Sequence, residues 1–235
     1  MLEALVEGST DAVTLADLAK GSLRTKLPQL ERALTGKVGA HQRFLIAHQL
    51  AHPDALDELI EQLSQEIAER LRPFQDKLER LDGITGVGLR TAELFLAEIG
   101  TDVARFPSSA HLASWAGICP GNNESAGKRK SGKTGKGDVW LRTALTEAAQ
   151  AASHTKDTYL ASQYQHLAAR RGKKKAIVAV AHSILCIVWH LLDHDCEYVD
   201  LGSRYLEERD RQQIQHRLVR RLEDFGYTVK LEPAA

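Results

Sequence analysis

Much that would announce a chemistry is missing from this chain. Its 235 residues include three cysteines, Cys119, Cys186 and Cys196. They form no CxxC pair and show no metal-ligand spacing, which argues against a disulfide scaffold or a zinc site and fits a reducing cytoplasm. There is no GxSxG, no HExxH and no set of spaced acidic residues on strands that would hold two metal ions, so no metal site is assigned. GxxxxGK[ST] after a strand is absent too, which rejects a P-loop despite the glycines and lysines of the middle region. The start, MLEALVEGSTDAV, has neither a basic n-region nor a long apolar core and is not a signal peptide. Ala176 to Leu192 is apolar but slightly short for a membrane span, and it contains His182, Ser183 and His190. A buried core helix is the expectation there. Strand alternation, low-complexity tracts and internal repeats are not visible, so the class is mainly α.

Net charge is also missing, with 31 basic and 31 acidic side chains, but the charges are segregated. Residues 1–81 carry a net −3, 82–116 a net −2, 117–185 a net +8 and 186–235 a net −3. The basic excess points to a polyanionic partner of the middle region. Its centre is Gly117 to Arg142, GICPGNNESAGKRKSGKTGKGDVWLR, a polar Gly/Lys loop between two apolar elements, and such loops carry function. Lys128, Arg129, Lys130, Lys133, Lys136 and Arg142 are candidate phosphate contacts, whose binding would be salt-dependent. A merely solvated loop is the plain alternative. Ser125, between small residues and cations, has what a nucleophile toward a phosphodiester needs, and Ser131 has similar physical credentials.

The rest of the chain reads as helices. Short ones fill residues 1–35, with Ser9, Thr10 or Asp11 as N-caps and Pro28 in a first turn. A helical pattern runs from His41 to Leu50 and stops at Pro53. From there Leu56, Leu59, Ile60, Leu63, Ile67, Leu71, Phe74, Leu78 and Leu81 form one apolar stripe, to be kinked or divided at Pro73. That stripe suits a dimeric coiled coil or a helix packed on its own domain. LDGITGVGLRTAELFLAEIG follows. Gly86-Val87-Gly88 permits a tight turn whose free amides, with the dipole of the next helix, could hold a DNA phosphate, as in a helix-hairpin-helix. A structural hairpin touching no DNA is the alternative. Arg170 to Lys175 is a second basic cluster. His182 and His190 are expected in the core or an interface, and Asp193, His194 and Asp195 at a helix end. Tyr198 to Phe225 reads as an exposed polar helix.

These runs, LDGITGVGLRTAELFLAEIG, then RFPSSAHLASWAGICPGNNESAGKRKSGKTGKGDVWLRTALTEAA, then RRGKKKAIVAVAHSIL, resemble the C-terminal part of insertion-sequence transposases of the IS116/IS902 type. The likeness is close over residues 80–195 and looser before them. The resemblance implies a RuvC-like N-terminal domain whose four acidic residues bind divalent metal. It further implies a coiled-coil connector and a C-terminal transposase domain with a nucleophilic serine. Similar proteins are recombinases guided by a structured bridge RNA that pairs with donor and target DNA. Their serine forms a phosphoserine link, and they assemble as dimers and tetramers. Carried over, the serine falls on Ser125, before Ala126-Gly127-Lys128, with Ala126 a mild departure from the family's pattern. Met1 falls inside what resembles the connector. The RuvC-like half is therefore expected to be absent, and Mg is expected only with it.

The expectation is a mainly α chain of three parts. Residues 1–80 are a helical connector or coiled coil, 81–195 a transposase domain with a helix-hairpin-helix and a basic Gly/Lys loop, and 196–235 a polar helical tail. Its expected function is that of the C-terminal, truncated part of a transposase. It would bind DNA through Gly86, Val87, Gly88, Lys128, Arg129, Lys130, Lys133, Lys136 and Arg142 and hold Ser125 as nucleophile. Expected partners are DNA, a bridge RNA and a second copy through residues 56–81, in a cytoplasmic, nucleoid-associated setting. The alternatives are a non-catalytic helix-hairpin-helix module and an inactive remnant.

Overall fold

Helix-forming sequence dominates the outcome. The computed structural model, which describes residues 1–121 and 123–230, is mainly helical. It divides into two compact units, Met1–Arg72 and Pro73–Ala235. That division falls ahead of the 80/81 boundary expected from the sequence, because Leu78 and Leu81 are buried in the second unit's core.

In the first unit, α1 (Leu2–Val6), α2 (Ala12–Asp17) and α3 (Leu27–Leu34) precede α4 (Ala40–Leu71), a helix of 32 residues. Of the proposed N-caps, Asp11 serves α2, its carboxylate accepting from the Thr14 amide at 3.0 Å. The expected break at Pro53 does not occur: α4 runs through it. A proline removes one hydrogen bond, and the helical turns on either side of it keep theirs. Pro73 does divide the helix. α4 ends at Leu71, a 3-10 turn covers Arg72–Phe74, and α5 (Gln75–Asp82) starts afresh. The apolar stripe is therefore two stripes. Residues 56–67 lie exposed on α4, whereas Leu78 and Leu81 are core residues of the second unit.

The second unit continues with α6 (Leu89–Ile99), α7 (Ser109–Trp115), strands β1 (Asn123–Ser125) and β2 (Lys128–Ser131), then α8 (Val139–His154), α9 (Tyr159–Arg171), α10 (Lys173–His194) and α11 (Tyr205–Asp224). α10 is the hub. It packs on α5, α7, α8 and α9, and buries Ile177, Val180, Ile184, Leu185, Val188 and Trp189, among others. It is long and apolar enough to cross a membrane by length and composition, but its apolar side chains are the core of this unit. His190 is not part of the core: it is exposed, stacked edge-on against Trp189 with ring centroids 5.0 Å apart.

The chain reverses at residues 155–158 and again at Gly172, so α8, α9 and α10 alternate in direction. Gln163 on α9 donates to Ser183 on α10 at 2.9 Å, as an antiparallel pair turning at Gly172 requires. The start of α8, the end of α9 and the start of α10 thus lie toward one end of the bundle. Asp200 secures the other end. Its carboxylate accepts from the Tyr159 amide (2.9 Å), the Gly202 amide (2.7 Å), the Tyr198 hydroxyl (2.8 Å) and the Thr85 hydroxyl (3.3 Å). The segment before α11, expected as exposed helix from Tyr198, is instead this non-helical anchor. Arg80 adds to it from α5, pairing with Asp195 just past α10 and with Glu197 at 3.3 Å. Asp195 is therefore a salt-bridge partner, and among the described residues no group of three or more His, Cys, Asp or Glu gathers to hold a metal ion.

Candidate functional site

The polar Gly/Lys loop expected between two packed elements contains a β-hairpin on a pinned base. At the base, Pro120 bridges to Thr134, and the Gly121 amide donates to the Lys133 carbonyl at 3.0 Å. Lower still, the two chains pass backbone against backbone: a Cβ on Gly137 would strike the Ala116 carbonyl. Above the base, β1 and β2 pair antiparallel, with Ser125 opposite Lys128 and Glu124 opposite Arg129. Ala126 and Gly127 make the two-residue turn, both at positive φ, 51° and 72°. Two left-handed residues give the turn whose twist suits a hairpin, and Gly127 adopts this without penalty. The strands escaped sequence reading because every side chain in them is polar, which leaves no apolar alternation. The Ala-Gly turn was the available signal.

This register separates the two serines. Ser125 is the last strand residue before the turn, exposed, and its hydroxyl makes no hydrogen bond among the described residues. Lys128 stands directly across and is also exposed, and opposite residues of a ladder share a face. Ser131 is half-buried, and its hydroxyl oxygen accepts from the Lys133 amide at 3.1 Å. One hydroxyl is free at a tip and the other is committed to a turn.

The cations are likewise sorted. Lys128, Lys133 and Lys136 are exposed on the hairpin and its return segment. The side chains of Arg129 and Lys130 lie outside the described part. Arg142, in the first turns of α8, donates to the Gly135 carbonyl (3.2 Å) and the Thr134 hydroxyl (3.3 Å). It braces the return segment against α8, a positioning role beside the phosphate contact expected. Asp138 caps α8 through the Leu141 amide at 2.6 Å, so the hairpin base and the helix start form one fixed junction.

Gly86, Val87 and Gly88 join α5 to α6, but the turn faces largely inward. Gly86 has φ 86°, and a Cβ there would meet the Ala152 amide at 2.6 Å and the Ala148 carbonyl. Val87 is buried, its amide donating to the Ile84 carbonyl at 2.9 Å. Gly88, before the first turn of α6, faces open space. A helix-hairpin-helix as a DNA-binding motif is not shown by this packing. The turn meets α8 about 15 Å along the helix from Arg142, counting ten residues of rise.

Burial shifts three titratable side chains of the core. It raises the Cys119 thiol and, with partial relief from the Ser109 hydroxyl, the Cys186 thiol, and it lowers the His182 imidazole. None of the three is poised as an activated nucleophile or a charged base.

Residues 78–165, spanning all but the first turn of α5, the inward turn, the hairpin, α8 and half of α9, match the model of the Transposase IS116/IS110/IS902 family. The matched segment is 88 of the chain's 235 residues. The chain is also similar to curated transposases. One is the transposase for insertion sequence element IS1111A of Coxiella burnetii (strain RSA 493 / Nine Mile phase I), 33% identical over 146 residues, which are 60% of this chain and 40% of that protein. Another is the putative transposase y4pF/y4sB of Sinorhizobium fredii (strain NBRC 101917 / NGR234), 29% identical over 143 residues, 54% of this chain and 37% of that one. The chain thus matches well under half the length of these transposases. Two features of the second unit carried no sequence signal. One is the Asp200 anchor, since acceptance by two distant amides is a tertiary fact. The other is Trp140, an indole exposed at the junction.

Proposed function

We propose that this chain is the strand-cleaving, DNA-binding part of an insertion-sequence transposase, with Ser125 as nucleophile. The observation that carries the reading is the hairpin register. It puts Ser125, whose hydroxyl makes no hydrogen bond among the described residues, at an exposed tip, opposite Lys128 and on a base braced by Arg142. Lys128, Lys133 and Lys136 hold the phosphate diester by charge, and binding weakens as salt rises. Ser125 Oγ attacks phosphorus. The Oγ–P bond forms, the bond from phosphorus to the leaving strand's oxygen breaks, and that oxygen leaves with a proton as a hydroxyl end. The serine's proton passes to solvent or to a base supplied with the substrate. Reversal on a second strand end restores the serine and completes exchange. A bridge RNA that selects the DNA, and pairing of two copies through α4, belong to the same proposal.

The test uses labelled duplex DNA from the flanks of the coding sequence. The chain is assayed alone and together with the additional segment that its longer relatives carry. A covalent protein–DNA adduct surviving denaturing electrophoresis is expected, absent in Ser125→Ala and retained in Ser131→Ala. Adducts formed equally well by Ser125→Ala would show the assignment to be wrong. Salt-sensitive binding without any adduct would favour the non-catalytic binding module.

A further inference from the structure

The three tryptophans of the second unit have different fates. Trp189 is buried, and its indole N–H donates to the Phe106 carbonyl at 3.1 Å. Trp115 is partly covered, its ring 5.4 Å from Phe106 and 5.5 Å from the Arg105 guanidinium carbon. Trp140 is 69% exposed beside Val139 at 70%, and it has no ring, cation or hydrogen-bond partner among the described residues. A large indole left in water this way is unusual, because it forgoes one of the larger burial gains a side chain can make. Yet its position is fixed. It sits in the first turn of α8, two residues after the Asp138 cap and two residues before the Arg142 brace. An exposed aromatic whose backbone is held in a capped helix turn is presented at a defined place on the surface.

Its surroundings say what such a platform would hold. The chain entering it carries Lys133 and Lys136, both exposed. Toward the same end of the bundle lie Arg171 at the close of α9 and Lys173–Lys175 at the start of α10, all exposed. An aromatic face among cations suits a ligand with a flat π-system and phosphates on either side of it. An apolar peptide would gain nothing from the charges, and an intact duplex keeps its base faces stacked.

We infer that Trp140 is a stacking platform for one unpaired nucleobase of the DNA strand whose phosphate lies at the hairpin. This deepens the proposed function and rests on it. It gives the site a preference for a locally unpaired strand that cations alone would not give.

The probes are fluorescein-labelled oligonucleotides: a blunt duplex, the same duplex with a four-nucleotide gap, and the gap-spanning strand as RNA. Binding is read by anisotropy at several salt concentrations for the full chain, Trp140→Ala, Trp140→Phe and the pair Lys133→Ala/Lys136→Ala. The parent is expected to prefer the gapped DNA. Trp140→Ala should weaken that complex roughly 5- to 100-fold, the loss of one base stack, with duplex affinity and salt slope unchanged. Trp140→Phe should retain most of the affinity, and the lysine pair should weaken both DNA probes with a shallower salt slope. If Trp140→Ala binds gapped DNA as the parent does while the lysine pair weakens it, stacking is wrong and the phosphate reading stands. A loss confined to the RNA probe overturns the assignment to a DNA strand. If the parent binds no probe at low salt, the proposed function fails and the platform with it.

Discussion

Asp200 shows how much one side chain can organise. Burial alone would raise its carboxyl, but the Tyr159 and Gly202 amides, then the Tyr198 and Thr85 hydroxyls, hold it below the usual carboxylate range. A depressed carboxyl contributes stability that is present above its unfolded value, about 3.9, and lost as pH falls through the folded one. Tyr198 has the opposite sign. Burial first, and then its hydrogen bond to Asp200, push its phenol up to about 12. Its contribution is complete below pH 10 or so and is lost as pH rises toward 12, because the folded state keeps the proton longer. Titration of tyrosinate absorbance should therefore show a late-ionising phenol near the top of that window, absent in Tyr198→Phe. Asp200→Ala should lower unfolding free energy in urea by about 2 kcal/mol, since two amides and two hydroxyls lose a charged acceptor. An unchanged midpoint would show that water replaces the carboxylate without cost.

Among the elements, the inward turn and the hairpin use left-handed backbone for different ends. At Gly86 it allows α5 and α6 to close against α8, with no room for a side chain. Gly86→Ala should destabilise the second unit by about 3 kcal/mol, overpacking added to the left-handed penalty, as read from the shift in thermal midpoint. At the hairpin the left-handed pair merely turns the chain, and Ala126 is the less suited of the two. Ala126→Asn, a residue that tolerates this conformation, should slow amide exchange at the Lys128 amide several-fold while leaving the rest of the unit unchanged. The hairpin was illegible in the sequence because its pairing rests on backbone bonds and a turn. The helices were legible because their apolar spacing is the very thing that packing uses.

At the scale of the whole chain, two units have different surfaces. The second buries its apolar residues around α10. α4 in the first has no buried residue and leaves Leu56, Leu59, Ile60 and Leu63 exposed. If that stripe joins two copies, as proposed, Leu59→Asp with Leu63→Asp should convert an oligomer to a monomer in sedimentation velocity. Helix content should stay unchanged, since neither residue supports the fold of its own chain. A variant that sediments like the parent would leave α4 without a role in assembly.

The sequence by itself determined the class, the division of the long helix at Pro73, the burial of the α10 segment, the basic middle and the family-like order of motifs. Each of these is local or additive, being set by spacing, a missing amide or a count of charges. Only the tertiary structure decided which of the loop's serines has a free hydroxyl, that Arg142 braces a backbone, that Gly86 is filled space and that Trp140 is left in water. Those facts depend on which atoms meet across more than one element, and no periodicity along the chain encodes such a meeting.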